Sequence, residues 1–412
     1  MRRPKILVVD DEPMIQKVLE RVIEATIPSD ITTASSGYQA LGLLKREPFD
    51  VVITDFSMPG MDGPEFLAIV KDLRPDAVRL IFTGNDGADS ALRAVDVAHQ
   101  YFLKPTAMMT ISDRIQRVLK IRDLLPEACS LEQIVSQIET LPSIPAVYHE
   151  LEVELHNPDV SMEKIGKIVA QDISLSAKVL QLVNSAFFGL REGVSNPAQA
   201  STLLGLKVLQ ALILTTHIFS EWKDKKLPGF SIHDLWDHSL GTAAIAQEIA
   251  LAEAADTATK EDLYVAALFH DIGKLIVAAN LPDSYLRVRE ICRKDKVSEV
   301  EAEIQVMGVS HAEAGAYLLA VWGFSDAVVN GSAFHHHPER HAAGVSPDTV
   351  VPLDSVAIVH VADVFEHETR GDVSPTSLKL NAAYLRSAGV VDRIFQWRSV
   401  ATLGQRASVR RI

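Results

Sequence analysis

Short apolar runs alternate with segments of helical period through the first third of the chain, and this alternation limits the fold more than any other feature. Four runs contain mostly strand-forming apolar residues, as expected of strands covered on both faces: I-L-V-V-D-D, V-V-I-T-D, V-R-L-I-F-T and Q-Y-F-L-K-P. A fifth run, I-T-T-A-S, is more polar. The alternation predicts a doubly wound parallel sheet that binds ligands at the carboxyl ends of its strands.

Polar residues suited to a metal ion and a phosphoryl group follow four of these runs. Asp10 and Asp11 follow the first run, Asp55 ends the second, and Thr83 and Lys104 end the other two. Clustered carboxylates repel one another unless a cation joins them, and Mg²⁺ prefers oxygen ligands of this kind. Any one of these residues could be an unrelated strand end, but five in order favour a Mg²⁺ and phosphate site.

Residues 5 to 122 resemble the receiver domain of two-component response regulators through V-V-D-D-E, D-F-S-M-P-G-M-D-G and F-L-K-P. The resemblance implies a flavodoxin-like fold with a five-stranded parallel sheet, and phosphorylation of Asp55 by a partner sensor histidine kinase. It assigns Mg²⁺ to three carboxylates and one backbone carbonyl, those of Asp10, Asp11, Asp55 and Ser57. It also implies switch and phosphate contacts from Thr83, Tyr101 and Lys104, with a cis bond between Lys104 and Pro105.

The sequence pattern changes at Pro126, where the β-rich runs almost disappear and Ala- and Leu-rich helical segments follow. Breakers such as L-P-S-I-P, H-N-P-D, S-N-P-A and L-P-G-F separate these segments, which predicts an all-α domain. We therefore expect a multidomain chain with four parts: an α/β domain over 1–122, a helical linker over 123–130, an all-α domain over 131–400 and a basic tail over 401–412.

Charge is spread unevenly and argues against nucleic-acid binding. Residues 1–122 contain 16 Lys and Arg against 17 Asp and Glu, whereas residues 123–412 contain 24 against 37. Such an acidic surface lacks the phosphate contacts that supply most DNA affinity, so no direct DNA binding is expected. Two cysteines, no apolar run of about twenty residues and no signal-peptide pattern predict a cytoplasmic protein without a membrane span.

The stretch A-L-F-H-D-I-G-K-L sets three polar residues inside an apolar helical run, where an unpaired charge is costly. Imidazole and carboxylate groups on other helical segments can join them to bind one or two ions of Fe, Mn or Zn. The candidate ligands are His238, His270, Asp271, His311, His335, His336 and Asp363. Lys274 is a candidate phosphate contact, because a dinuclear site would activate water against a phosphodiester.

Local patterns suggest where these residues lie on their helices. We expect His270 and Asp271 in the middle of one helix, and His311 in the first turn of another because a capping-box pattern surrounds it. A single histidine on an apolar helix is most often a hydrogen-bonded core residue. His360 and His367 fit that interpretation or a surface position, whereas the larger set would need several buried histidines to satisfy one another by chance.

Residues 131 to 400 resemble the HDOD domain, a divergent relative of the HD-superfamily phosphohydrolases. The resemblance is carried by L-P-S-I-P, V-N-S-A-F-F-G, L-L-G-L, W-D-H-S-L, H-D-I-G-K, S-H-A-E-A-G-A-Y-L and F-H-H-H-P. It implies a signalling output domain, mostly without catalysis, that contacts a downstream signalling protein. The candidate ligands also resemble those of the HD-GYP cyclic-dinucleotide phosphodiesterases, although H-H-H-P-E-R-H-A-A-G-V replaces the Gly-Tyr-Pro segment.

Two functions remain open from the sequence. In the first, phosphorylation of Asp55 changes how the HDOD domain meets a partner protein, and the domain has no catalytic activity. In the second, phosphorylation controls a metal-dependent phosphohydrolase or phosphodiesterase. Fold resemblance does not decide between them, since function depends on the site itself. Whether the chain forms a homodimer is also left open.

Overall fold

The computed structural model describes residues 3–83, 97–104, 111–123, 161–170, 227–342, 354–371 and 379–409, with single residues and short stretches between 154 and 213. The chain folds into two compact units. We name them the sheet unit, which contains the described strands and residues Ala320–Phe324, and the helical unit, which contains the rest of the described helices from Met162 onward. The helical linker predicted over 123–130 lies outside the described residues except for its first position, and the predicted domain boundaries stay predictions.

The sheet unit contains five parallel strands in the order β2-β1-β3-β4-β5. The strands are β1 (Lys5–Val9), β2 (Asp30–Ala34), β3 (Val51–Asp55), β4 (Val78–Thr83) and β5 (Gln100–Leu103). Its described helices are α1 (Pro13–Glu24), α2 (Gly37–Leu44), α3 (Gly63–Leu73) and α4 (Ile111–Asp123). Each apolar run expected to form a strand does so, and the prediction of a doubly wound sheet is confirmed.

The strand order brings the carboxyl ends of β1 and β3 together at one edge of the sheet. Val9 pairs with Thr54, so the residues that follow β1 lie beside the end of β3. Helix α3 begins close to this edge, where Asp62 caps it and exchanges hydrogen bonds with Glu65. A Cβ atom on Gly63 would lie 2.2 Å from the carbonyl oxygen of Asp55, so only glycine lets α3 start there.

The helical unit contains no strand among its described residues, which confirms the all-α prediction for that part of the chain. None of the helices described in either unit is long and apolar enough to cross a membrane. The predicted basic tail begins inside a helix, because the last element runs to Val409. The elements are α5 (Met162–Ala170), α6 (Ile232–Ala252), α7 (Thr257–Phe269), α8 (Ile272–Asn280), α9 (Pro282–Asp295), α10 (Glu299–Met307), α11 (His311–Val321), α12 (Asp326–Phe334), α13 (Pro338–Ala342), α14 (Ser355–Arg370), α15 (Ala382–Ser387), a 3₁₀ turn (Val391–Arg393) and α16 (Ile394–Val409).

Helices α6, α7, α12 and α14 pack against one another and form the core around the candidate ligands. Small residues let their backbones approach closely: Ala243 and Ala266 are fully buried, and a Cβ atom on Gly331 would come within 3.1 Å of Ala266. Apolar side chains fill the remaining space, and their burial supplies most of the stability. The polar residues of this core are therefore buried among apolar side chains.

The expectation that His270 and Asp271 lie in the middle of a helix is wrong. Helix α7 ends at Phe269 and α8 begins at Ile272, so the two residues occupy the turn between them. The physical reason is backbone packing, since a Cβ atom on Gly273 would lie 1.9 Å from the carbonyl oxygen of His311. Helix α8 can approach the start of α11 this closely only after the chain has turned.

Candidate functional site

The carboxyl edge of the sheet holds the first candidate site, which we name the strand-end site. Asp55 ends β3 and is 8% exposed, and Asp10 follows β1 and is 1% exposed. The Lys104 ammonium, just after β5, lies 3.1 Å from Asp10 Oδ2 and also contacts Asp55 Oδ1. The backbone N–H of Ser57 donates to Asp55 Oδ2 at 2.9 Å. One cation thus contacts two carboxylates at this edge.

Lys104 and the two buried aspartates of the strand-end site influence one another's charge. Burial raises the pKa of Asp10, against the hydrogen bond from the Glu12 backbone and the charge of Lys104. Burial disfavours the ammonium of Lys104, but its hydrogen bond and charge pairing with Asp55 raise the pKa above its usual value. The lysine therefore stays charged at neutral pH and is placed to offset negative charge.

The other residues predicted for this site are described less fully. Asp11 is exposed, and the three aspartates are not among the groups of described residues whose ligand atoms lie within 4.8 Å of one another. Thr83 ends β4 and Tyr101 lies in β5, but their side chains fall outside the described structure. Pro105, and with it the predicted cis bond, also lies outside the described residues.

The second candidate site is a group of buried histidines and aspartates in the helical unit, which we name the histidine cluster. Helix α6 contributes one ligand candidate, the turn after α7 two, α11 one, the end of α12 two and α14 one. The structure brings all seven candidates together. They are His238, His270, Asp271, His311, His335, His336 and Asp363.

Asp271 lies at the centre of the histidine cluster and faces two groups of imidazoles. Its Oδ1 atom lies 3.1 Å from Nε2 of His311 and 3.5 Å from Nε2 of His335. Its Oδ2 atom lies 3.5 Å from Nε2 of both His238 and His270. A carboxylate with one oxygen on each side is suited to bridge two metal ions.

The two sides of Asp271 face two sets of ligand atoms, which overlap because the ligand atoms of His335, His270 and Asp363 also lie within 4.8 Å of one another. One set, the inner set, has its ligand atoms within 4.8 Å of one another and comprises Asp271, His311, His335 and His336. The other set, the outer set, is built from His238, His270, Asp271 and Asp363, and Asp363 Oδ1 lies 3.1 Å from His238 Nε2. Nitrogen-rich sets of this kind suit Fe, Mn or Zn.

Partners behind the imidazoles fix the direction in which four of them point. Nδ1 of His270 donates to the carbonyl oxygen of Ala267, and Nδ1 of His335 donates to that of Ser332, both at 2.7 Å. The other two rings have glutamates in this position: Nδ1 of His311 lies 2.7 Å from Glu303, and Nδ1 of His238 lies 2.5 Å from Glu366. Each ring is thereby held with Nε2 facing the centre, as in metal sites.

Three buried atoms at the centre have no hydrogen-bond partner within the described part of the chain. They are Oδ1 of Asp271, Nε2 of His335 and Oδ1 of Asp363. An unsatisfied buried polar atom costs about 1–3 kcal/mol, so three of them together need an explanation. All three are ligand-type atoms of the histidine cluster, and the residues therefore fit a bound metal ion.

The pKa values divide the histidines into two kinds. Burial opposes protonation of His238 and His311, but the carboxylates of Asp363 and Glu366 raise the pKa of His238 to about 10, and those of Glu303 and Asp271 raise that of His311 to about 10. Burial lowers the pKa of His335 to about 4. His335 therefore carries a lone pair on Nε2 at neutral pH, ready for a metal ion.

Lys274 contacts the cluster itself. Its ammonium lies 2.7 Å from Asp271 Oδ2 and 3.4 Å from Glu299. Burial disfavours its charge, but these carboxylates raise its pKa above the usual value. The predicted phosphate contact is therefore a charged group that already pairs with the central aspartate.

The two histidines that flank Asp363 on α14 have different surroundings. His360 is a core residue: Nδ1 donates to the His335 carbonyl at 2.6 Å, and Nε2 accepts from the Asn381 backbone at 2.9 Å. His367, by contrast, has Nε2 at 3.4 Å from Asp363 Oδ1 and forms a ligand group with Asp363 and His238. The sequence pattern alone does not place His367 in the ligand set.

Sequence analysis also missed the two glutamates. Glu366 and His367 lie three and four residues after Asp363, so D-V-F-E-H would have placed all three on one face of a helix. Glu303 gave no comparable signal, because it lies on α10 and reaches His311 across the turn between two helices.

Comparison with known families matches the two units to different domains. Residues 6–116 match the response regulator receiver domain family, and residues 141–338 match the HDOD domain family. Among solved structures, an HDOD domain protein with unknown function from Geobacter sulfurreducens has a TM-score of 0.50 and 24% identity, covering 70% of this chain and 97% of that chain. At this identity the likeness concerns the fold alone.

Curated relatives match only parts of the chain. An uncharacterized protein of Treponema pallidum (strain Nichols) is 28% identical over 250 residues, which cover 60% of this chain and 46% of that protein. The hydrogenase transcriptional regulatory protein HoxA of Cupriavidus necator is 32% identical over 125 residues, which cover 30% of this chain and 26% of that protein. The chain thus spans less than half the length of these relatives.

Proposed function

Because this chain joins a response regulator receiver domain to an HDOD domain, we propose that it is a two-component response regulator phosphorylated on Asp55. The observation that carries the proposal is the contact of Lys104 with both Asp10 and Asp55 at the carboxyl end of the sheet. An Asp55 oxygen would attack the phosphorus of a phosphohistidine on a sensor kinase. The new P–O bond replaces the P–N bond, and Lys104 offsets charge on the phosphoryl oxygens.

The strand-end site has a donor set that fits Mg²⁺. Carboxylate and carbonyl oxygens are hard ligands, and one ammonium leaves net negative charge among three aspartates. Bound Mg²⁺ would supply further charge neutralisation to the phosphoryl group. The residues that would hold it are Asp10, Asp11, Asp55 and, through its carbonyl, Ser57.

The HDOD domain is the proposed output of this regulator. Its acidic composition favours contact with a downstream signalling protein over contact with DNA, because phosphate contacts need basic side chains. Phosphorylation would change how the domain meets that protein, either by strengthening or by weakening the contact.

Phosphorylation is tested by incubating the full chain with acetyl phosphate and Mg²⁺ and separating the products on a phosphate-affinity gel. Wild-type protein should shift, and Asp55→Asn should not. Asp72→Asn is the matched control, since Asp72 is an exposed carboxylate of the same domain and its loss should leave the shift intact. Equal labelling of Asp55→Asn and wild type would refute the proposal.

A second candidate function is a receiver-controlled, metal-dependent phosphohydrolase or phosphodiesterase. The unsatisfied atoms of Asp271, His335 and Asp363 favour this function. Such atoms are expected in metal ligands, whereas the polar atoms of a purely structural core would be hydrogen-bonded to one another. Fe, Mn or Zn bound there would activate water. In this chain Asp271 would bridge the two ligand sets, and Lys274 would stabilise negative charge beside Asp271 Oδ2.

The second candidate is tested by metal analysis of protein purified without chelator, followed by assays against cyclic dinucleotides and nucleotides. Asp271→Ala should lose both metal and turnover, whereas Asp283→Ala, at an exposed position of the same unit, should lose neither. If the protein binds no metal after incubation with Fe, Mn or Zn, the hydrolase function is excluded. Metal without turnover would leave the signalling function as the activity of this domain.

A further inference from the structure

One face of α14 points three ionisable residues at the histidine cluster. Asp363, Glu366 and His367 are spaced by three and four residues, which places them on the same face of the helix. Asp363 supplies a ligand oxygen, and Glu366 lies behind His238 at Nδ1. His367 has neither of these two roles, so a separate explanation is needed for why it faces the cluster.

The surroundings of Asp363 Oδ1 show what His367 does. This oxygen is buried and has no hydrogen-bond partner among the described residues. Three imidazole nitrogens surround it: Nε2 of His238 at 3.1 Å, of His270 at 3.6 Å and of His367 at 3.4 Å. Three imidazole nitrogens that converge on one unsatisfied carboxylate oxygen are expected around a metal ion and not in an ordinary polar core.

A simple helix-surface pair between His367 and Asp363 explains less. Such a pair at four residues' spacing contributes only a few tenths of a kcal/mol and does not require other partners. Here the His367 ring also lies against that of His238, with centroids 4.7 Å apart. The group formed by His238, Asp363 and His367 keeps all its ligand atoms within 4.8 Å.

Exposure places His367 on the solvent side of this group. Its side chain is 29% exposed, whereas those of His238 and Asp363 are 8% and 2% exposed. The other members of the outer set are therefore covered by protein, and His367 is the one nearest to water. A ligand in this position would bind from the side that faces solvent.

We propose that His367 is a further protein ligand of the metal ion held by the outer set, on the side that faces solvent. The inference rests on metal binding by the HDOD domain and extends it to a residue outside the ligand set predicted from sequence. With His367, the ion would have three protein ligands close together, His238, Asp363 and His367, whose ligand atoms lie within 4.8 Å of one another.

The test measures metal affinity and ligand field, and it does not depend on turnover. Chelator-stripped wild type and His367→Ala are titrated with Mn²⁺, following free Mn²⁺ by its paramagnetic resonance, and both are loaded with Co²⁺ for visible absorption. His367→Ala should weaken one class of site by at least about tenfold and alter the Co²⁺ bands, because one nitrogen donor is lost. The other class of site should keep its wild-type affinity.

Matched variants make the result specific. His233→Ala removes an exposed histidine of the same unit and should leave both affinities unchanged, whereas His238→Ala should abolish binding at the outer set. His367→Gln should behave like His367→Ala and decides the test if the alanine variant does not fold by circular dichroism. If wild type binds two ions and His367→Gln keeps the same affinities and Co²⁺ bands, His367 is not a ligand, although the metal site itself stands. Wild type that binds no ion would overturn the metal site as well.

Discussion

Two histidines of the cluster have a glutamate behind Nδ1 and a central carboxylate before Nε2, and this arrangement sets their charge. Burial opposes protonation, but Asp363 and Glu366 raise the pKa of His238 to about 10. Glu303 and Asp271 do the same for His311. In metal-free protein at neutral pH both rings are therefore imidazolium ions, and each must lose its Nε2 proton before it can bind metal.

Metal-free protein should lose stability as pH rises from about 7 to about 10. The raised folded pKa means that the contribution of His238 and His311 is fully present below the unfolded pKa of about 6.5 and disappears as pH passes about 10. Each unit by which the pKa in the folded protein exceeds that in the unfolded protein adds about 1.4 kcal/mol to the free energy of unfolding. The measurement is urea unfolding of chelator-treated protein at pH 7 and pH 9.5, followed by circular dichroism.

A variant with glutamine at both positions separates this effect from other titrations. His238→Gln combined with His311→Gln should flatten the alkaline loss, and His233→Gln should retain it. A metal-free wild type whose unfolding free energy stays constant or increases over this range would contradict the pKa assignment.

Single residues also show where sequence analysis stops. His360 and His367 lie on either side of Asp363 at helical spacings, and the sequence pattern alone does not distinguish a core histidine from a metal ligand at these two positions. One of them bonds to the His335 carbonyl and to the Asn381 backbone, and the other faces the ligand oxygens. The difference comes from neighbouring helices, which local periodicity does not describe.

At the scale of elements, the turn between α7 and α8 decides whether the histidine cluster can form. Gly273 lies against the start of α11, where an added Cβ would meet the His311 carbonyl oxygen at 1.9 Å and the Gly315 nitrogen at 2.7 Å. Both atoms belong to the backbone, so neither can move away cheaply. This contact holds Asp271 within reach of His311 and His335.

Gly273→Ala should therefore destabilise the helical unit by about 1–3 kcal/mol or more and reduce its metal content. Differential scanning calorimetry would detect a lower unfolding temperature for the transition of this unit. Gly42→Ala is the matched control, because Gly42 lies in a helix and has nothing within 4 Å of its added Cβ. Replacing it should be neutral or stabilise by about 0.5–1 kcal/mol. A Gly273→Ala protein with wild-type stability and metal content would contradict the packing argument.

The strands and the helix break differ in how well the sequence predicts them. Apolar runs such as V-V-I-T-D predict strands because both faces of a central strand are buried, a property of the run itself. H-D-I-G-K continues a helical pattern of apolar residues, and its break depends on a glycine contact with α11, a separate helix. Local periodicity therefore predicts the five strands and misplaces the central aspartate.

At the scale of the whole molecule, two different ligand chemistries occupy two units. The strand-end site offers oxygen donor atoms and a lysine, and its described residues all belong to the sheet unit. The histidine cluster offers mainly nitrogen donor atoms, and its residues all belong to the helical unit. Hard oxygen donors suit Mg²⁺, whereas imidazole suits Fe, Mn or Zn, so the two sites should select different ions.

This separation predicts that each site can be lost without the other. Asp55→Asn should lose the acetyl phosphate shift but keep the Fe, Mn or Zn content of wild type. Asp271→Ala should lose that metal content but keep the shift, because no ligand of one site comes from the other unit among the described residues. The two readouts are metal analysis by mass spectrometry and phosphate-affinity electrophoresis on the same four preparations: wild type, each single variant and the double variant. Loss of both properties in either folded single variant would contradict independent sites, and each variant thereby serves as the control for the other.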